Sequence, residues 1–418
     1  MKILIVSSQD INSGAGRAAY RLCKALEQEG VNVKLLVRSK FATDWNIIGP
    51  TRRFDKIIAL MLPFLDLAIF NIFYRKRKGV FSSSLFGSKF VWRTLVKYNP
   101  DVVHLHWVNA GTFKISHLPK IKKNIVWTMH DEWLYTGVCH VSNGCEKYAI
   151  TCQSCPELKS NYKYDLSFFL HMRKKRIFNK DLQKSLTIVG LSNWIVQRAQ
   201  KSKMISKIPL VHLPNCIDTD FFKPIDKAVA KDFFNLPLDK KVILFGAVNA
   251  LSDKNKGFDL LEKALEGFKY RTDLIYLVLG ASEKVESISG NTNIRIVSHK
   301  FDEETLVLLY NASDVTVVPS RQENLSNTIM ESLACGTPVV AFNTGGNLDL
   351  IDHKKNGYLA TSFDAIDLQN GLSFVLENKY YKRIMTNARN SIVESFSYSV
   401  VAKRYIGMYK NILKNDIT

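Results

Sequence analysis

The first 210 residues are short of negative charge. They hold 13 Asp and Glu against 34 Lys and Arg, whereas residues 211–418 hold 25 against 24. The whole net charge of +20 therefore resides in the first half, an asymmetry that a generally solvated surface would not produce. That half should face a polyanion: a phosphate-bearing membrane, a pyrophosphate-linked lipid or a nucleic acid. Cysteine is scarce and odd in number, seven in all. That disfavours a secreted disulfide framework and suits a reducing, cytosolic setting. No low-complexity tract occurs. The start MKILIVSS lacks the charged, apolar, small-residue order of a signal peptide and reads as a strand. With 418 residues, 46% of them hydrophobic, the chain suits two domains with separate cores.

Each half opens in the same way. KILIVSS (2–8) is a continuous apolar run, as for a strand buried on both faces. A turn with Gly14 and Gly16 follows, then the helical pattern RAAYRLCKALEQEG ending at Gly30, then the strand VNVKLLV. In the second half KVILFGA (241–247), KGFDLLEKALEGF and LIYLVLG (274–280) repeat the order. Strand-helix-strand units of this length predict two doubly wound α/β domains, with ligand at the carboxyl ends of the strands in the cleft between them. The expected limits are 1–211 for the first domain and 212–397 for the second. The chain would cross at HLPNCIDTDFFKP (212–224), and a last amphipathic helix, 398–418, would pack back on the first domain.

The stretch RQENLSNTIMESLACGTPVVAF (321–342) has two acidic residues, Glu323 and Glu331. DVTVVPS (314–320) reads as a strand, so Glu323 lies in the loop leaving it and Glu331 in the first turns of the next helix. If the interval were all helical the carboxylates would stand ~12 Å apart. That is roughly the span between the polar ends of a nucleotide sugar, and the helix N-terminus between them suits a diphosphate. The plainer reading is a capping box of Thr328 with Glu331, and a solvated Glu323.

The run VPSRQENLSNTIMESLACGTPVVAFNTGGNLDLI (318–351) resembles the signature of glycosyltransferase family 4, two glutamates with seven residues between them. GAGRAAYRLCKAL, HLHWVNAG, WTMHDEWLYTGVCH, LPNCIDTDFF and KGFDLL resemble further blocks of its branch for capsule, O-antigen and exopolysaccharide synthesis, in order along nearly the whole chain. The resemblance implies a GT-B fold, a retaining transfer from a nucleoside diphosphate sugar, and a lipid-linked saccharide as acceptor. It needs no cofactor for catalysis. It implies Glu323 beside the donor hexose, the amides of Asn324, Leu325, Ser326 and Asn327 at the sugar and phosphates, and Glu331 on the ribose. Lys256 would meet the leaving diphosphate, Gly14 and Gly16 would admit the first domain's backbone to it, and His130 would lie at the acceptor side. Three positions depart from the pattern: Asn324 follows the first glutamate where glycine is common, Asn215-Cys216 replaces Asn-Gly, and no arginine occurs from Gly246 to Gly257. Lys254 is the expected stand-in for that arginine.

His130 ends the strand NIVWTMH, whereas His104 and His106 on VVHLHW read as packing or hydrogen-bonded residues. Cys139, Cys145, Cys152 and Cys155 fall in CHVSNGCEKYAITCQSC. They could hold a structural zinc that pins a loop over the acceptor, remain free thiols, or form a disulfide. IIALMLPFLDLAIFNIFY (57–74) is apolar, with basic flanks across 52–78. Pro63 and Asp66 at its middle argue against a bilayer span. They leave a surface-lying or hairpin-like segment on anionic lipid, or a core helix pair. FLHMRKKRIFNK (169–180) would extend the basic surface. The protein is then expected to be peripheral on the cytoplasmic face of the inner membrane.

Three rivals stand. A Rossmann oxidoreductase fits GAGRAA (14–19) loosely, but the second strand ends in Arg38-Ser39-Lys40 and not in an acid. A nucleic-acid binder would explain the charge, but the basic half has no aromatic-interleaved motif, so nucleic acid is not an expected partner. A nucleotide-sugar epimerase on the same fold would need no lipid-facing basic surface.

Overall fold

Ile3, Leu4, Ile5 and Val6 are wholly enclosed in β1 (Lys2–Gln9), the first strand of a computed structural model describing residues 1–77, 79–246, 253–280, 293–297 and 302–414. The chain divides into one unit of residues 1–216 and 401–418 and a second of residues 217–400. It leaves the second unit inside the helix Tyr398–Lys414. Parts of the expected strand 241–247 and of the basic flank 52–78, and the end of the last helix, lie outside the described residues.

The first unit is a seven-stranded sheet, all parallel. Its strands are β1, β2 (Asn32–Ser39), β3 (Ile47–Ile48), β4 (Val102–His106), β5 (Asn124–Met129), β6 (Leu186–Gly190) and β7 (Leu210–His212), in the order β3-β2-β1-β4-β5-β6-β7. The second unit has six parallel strands. They are β8 (Lys241–Gly246), β9 (Leu274–Leu279), β10 (Ile294–Val297), β11 (Val315–Val318), β12 (Val339–Phe342) and β13 (Gly357–Ala360), in the order β10-β9-β8-β11-β12-β13. Both orders reverse direction beside the first strand of the unit, the doubly wound Rossmann-like arrangement that gathers loops at the carboxyl edge.

α1 (Gly14–Gln28) follows β1 and is capped by Ser13, whose hydroxyl accepts from the Gly16 amide. A Cβ on Gly16 would lie 2.3 Å from the Asp10 carbonyl oxygen, so the chain's own tight turn requires glycine here. The last helix is tied to the first unit's sheet by Tyr409, whose hydroxyl meets His104 Nδ1 at 2.7 Å. His104 Nε2 reaches Thr128 Oγ1 at 2.7 Å, so this histidine is fully used in packing.

The apolar segment forms neither a hairpin nor a helix pair. It is one helix, α2 (Arg53–Phe73), with Ala59, Leu62, Asp66 and Phe70 buried along one side. Pro63 has no N–H for the Ala59 carbonyl one turn back. The buried Arg38 guanidinium donates to that carbonyl and so repairs the helix. Asp66 accepts at Oδ1 from the Ser83 hydroxyl at 2.5 Å and the Ser84 amide at 2.9 Å, which partly offsets the cost of burying it. The opposite side is apolar and open, with Phe54, Leu60, Phe64 and Phe73 each at least 66% exposed. Among the described residues α2 alone is long and apolar enough to cross a membrane, yet its inner side is built to face protein.

The basic run 169–180 is not all surface. Lys174 points inward, donates to the carbonyls of Trp133 and Thr136, and lies 3.3 Å above the Trp133 ring centroid. Burial pulls its ammonium down to about 7.

Candidate active site

In the second unit β8 and β11 are neighbours, paired from Ile243↔Val315, so the loops that leave them emerge side by side. The first carries the turn Lys254–Lys256 and the second carries Glu323. Lys256 Nζ donates to Glu323 Oε1 at 2.8 Å. The carboxylate holds the ammonium above the ordinary lysine range against the opposing effect of burial. Around the pair the loops are laced by backbone. Arg321 N donates to Asn255 O at 2.8 Å and Asn255 Nδ2 to Gln322 O at 2.9 Å. Gly257, at φ +71°, would bring a Cβ to 2.0 Å from the Pro319 oxygen, so only glycine permits this approach.

Arg321 lies in the same loop, two residues before Glu323. Its guanidinium grips Asp259 with two bonds of 2.9 and 2.7 Å and also donates to the Lys254 carbonyl. It therefore braces the lysine turn against the glutamate loop. Lys254 itself is exposed, and the stretch 247–252, where no arginine occurs, lies outside the described residues.

The helix after Glu323 runs Asn327–Ala334 and its N-cap is Ser326, accepting from the Ile329 amide at 3.4 Å. The capping box of Thr328 with Glu331 is thus excluded, because Ile329 and not a glutamate occupies the third position. Glu331 points into the unit at 2% exposure and accepts from the Tyr310 hydroxyl at 2.8 Å. Leu325 and Ser326 are buried, whereas Asn324 and Asn327 are half-buried at the loop. Arg389 donates to the Ala334 carbonyl at 2.8 Å, placing a cation at the helix C-terminus.

In the first unit His130 stands one residue beyond β5. Its Nε2 meets His106 Nδ1 at 2.9 Å, which brings a residue read as packing directly onto the candidate. The register His106↔Thr128 explains the meeting: two parallel neighbours end together. Burial holds the imidazoles neutral at physiological pH, His130 at about 4 and His104 at about 3, with His106 also far below the ordinary value. Beside them Trp107 adopts φ +44° and donates its indole N–H to Asp131 at 2.7 Å. Burial alone would raise the Asp131 carboxyl; His140 at 2.6 Å and the Trp133 amide at 2.9 Å hold it below the ordinary carboxylate range. The neighbouring Glu132 is wholly buried and paired with Arg198 at 2.6 Å.

Cys139, Cys145, Cys152 and Cys155 line one cavity, and all seven cysteines are free thiols. Among the described residues no three His, Cys, Asp or Glu side chains converge as a finished metal site.

Two family descriptions match this chain: Glycosyltransferase Family 4 over residues 12–221, and Glycosyl transferases group 1 over residues 228–391. Paired Rossmann-like units with these matches define a glycosyltransferase of the GT-B class. The chain belongs to glycosyltransferase family 4. It is similar to the Escherichia coli (strain K12) protein named for colanic acid biosynthesis, glycosyl transferase WcaC, at 22% identity over 373 residues, 84% of this chain and 85% of that one. The N,N'-diacetylbacillosaminyl-diphospho-undecaprenol alpha-1,3-N-acetylgalactosaminyltransferase of Campylobacter jejuni is 27% identical over 200 residues, 47% of this chain and 52% of its own length. Sucrose-phosphate synthase from Thermosynechococcus elongatus shares the fold at TM-score 0.67 and 18% identity, over 99% of this chain and 100% of that one.

Proposed function

We propose that this glycosyltransferase is retaining and metal-independent, and moves a hexose-type unit from a nucleoside diphosphate sugar to a lipid-linked saccharide during synthesis of a bacterial surface polysaccharide. The observation that carries the reading is the Lys256–Glu323 pair, a fixed cation and a hydroxyl-binding carboxylate at the carboxyl edge of a Rossmann-like sheet. In this reading Glu323 holds the donor hexose, the amides of Asn324–Asn327 hold the sugar and phosphates, and Glu331 holds the ribose. The acceptor oxygen attacks the anomeric carbon on the face the diphosphate leaves, the bond to the β-phosphate oxygen breaks, and that oxygen takes the acceptor's proton. Lys256, with Lys254, opposes the charge that builds on the leaving group. Gly14 and Gly16 admit backbone to the phosphates. His130, neutral and steadied by His106, orients the acceptor or sugar.

A panel of UDP, GDP, ADP and CMP, with and without magnesium, tests this by thermal shift. A ligand that binds only the folded state at a hundred times its Kd adds about 2.7 kcal/mol. One nucleoside diphosphate is expected to raise the midpoint selectively and without magnesium. No rise from any of them removes the donor site. The product anomer, read by NMR with the selected donor, is expected to keep the donor's configuration.

The lipid-linked acceptor is supported by the basic first half and by the open apolar side of α2, which has Arg52, Arg53 and Lys56 at its start and Arg75 and Lys76 after its end. The name of the Campylobacter jejuni relative carries a diphospho-undecaprenol acceptor, and this too favours a lipid anchor. We place the protein peripherally on the cytoplasmic leaflet, with α2 lying in the interface. Co-sedimentation with phosphatidylserine vesicles is expected, weakened by salt and lost in Phe64→Glu. Phe64 is 76% exposed, so that substitution should leave the fold intact. Equal binding by both proteins would return α2 to another role.

A further inference from the structure

The segment 137–160 makes little regular structure. Among its described residues the one helical element is the three-residue turn Lys147–Ala149. A stretch this irregular, folded under α2, needs something other than a backbone ladder to hold it. Four of the chain's seven cysteines fall within it, and their side chains line a single cavity of about 20 Å³, with Thr136, Tyr148 and Ser167 among the other walls. That volume admits one water-sized or ion-sized centre.

The sulfurs already receive hydrogen bonds. Gly137 N donates to Cys152 Sγ at 3.1 Å. Backbone of Glu157 and Leu158, two and three residues on, lies beside the Cys155 sulfur, and the Cys139 thiol neighbours it. A neutral thiol is a weak acceptor. An amide on buried sulfur is the partner that a metal-bound thiolate would also take, with the metal supplying the counter-charge. Cys139, Cys152 and Cys155 are each no more than 9% exposed.

We propose that Cys139, Cys145, Cys152 and Cys155 bind one structural Zn²⁺ as a tetrathiolate. With Zn–S bonds of ~2.3 Å the sulfurs of a tetrahedral site would stand roughly 3.8 Å apart. The thiols do not converge as a ligand set as they stand, so binding requires their side chains to rotate onto the ion. Cys145, half-buried next to the exposed Gly144, is the member least held by its neighbours. The metal would fasten the wall of the first-unit site. His140, next to Cys139, holds Asp131, and its carbonyl accepts the Glu132 amide at 3.1 Å. Cys139 and Cys155 also share a core with Phe70 of α2 and Leu158. Zinc here is structural: all four positions are thiolates, with none open for substrate.

Elemental analysis of the full chain, purified with reductant and without chelator, tests the site independently of any transfer activity. About one zinc per chain is expected, as for a single four-sulfur site. A mercurial thiol reagent should release it to a chromogenic chelator. Cys152→Ser and Cys155→Ser should lose the metal, while Cys216→Ser and Cys335→Ser keep it. Should the first two variants fail to fold, cobalt exchange into the unaltered protein reads the same ligand set through thiolate charge-transfer and tetrahedral d–d bands. Zinc far below one equivalent with all seven thiols free, or a Cys139–Cys155 disulfide in the native protein, overturns the proposal.

Discussion

Replacing Lys256 by alanine is expected to slow transfer by about 10²–10³-fold, the loss typical when one preorganised group facing developing charge is removed. The same change should barely disturb the fold. The Lys256–Glu323 pair is partly open, at 25% and 18% side-chain exposure, so its worth to stability is about 1 kcal/mol or less. In a domain of this size that shifts the melting midpoint by roughly 2–4 °C. That contrast would mark the pair as one held for chemistry and not for stability. Glu323→Gln should also be slow, mainly through weakened donor binding, and it frees Lys256 from its partner. Release of nucleoside diphosphate from the donor selected by thermal shift measures both variants. Unchanged turnover in two folded proteins would make the pair an ordinary surface ion pair and remove the donor site with it.

Much of this arrangement was legible because parallel sheets convert sequence order into neighbourhood. Lys256 and Glu323 lie 67 residues apart, and once β8 and β11 are read as adjacent parallel strands their exit loops must meet. The same logic would have joined His106 to His130 had the register of β4 and β5 been considered. What stayed hidden depended on partners distant along the chain. Pro63 and Asp66 argued against a bilayer span and left a hairpin-like segment or a helix pair open, because their partners Arg38, Ser83 and Ser84 leave no periodic trace. Lys174 belonged to a basic run and looked solvated; two carbonyls and an indole took it inside. The choice between Ser326 and Thr328 as helix cap could not be made from spacing, since both hydroxyls precede an apolar pattern. Gly16 illustrates a motif residue with a sufficient local cause, the carbonyls of Gln9 and Asp10, whatever else approaches it.

The largest effect on stability is expected from Arg198. Its guanidinium donates to Glu132 Oε1 at 2.6 Å and to Ser142 Oγ at 2.8 Å, and Glu132 is wholly buried. Removing one partner of such a pair typically costs 3–5 kcal/mol, because the remaining charge is stranded in low dielectric. Arg198→Met keeps the side-chain volume beside Tyr148 and Trp194 while deleting the charge, and should lower the midpoint by on the order of 10 °C. Lys201→Ala, which breaks the open Lys201–Glu146 pair, is the matched control and should leave the midpoint nearly unchanged. The double variant Glu132→Gln with Arg198→Met separates lost attraction from stranded charge. If the stranded carboxylate dominates, the double variant should be more stable than Arg198→Met alone, since the amide oxygen can keep the Ser142 N–H and the Tyr135 hydroxyl can turn to accept from the amide nitrogen, with no charge to strand. If it is no more stable, Glu132 tolerates burial without its cation, and the pair serves to aim the loop that carries Asp131 and not to neutralise a charge.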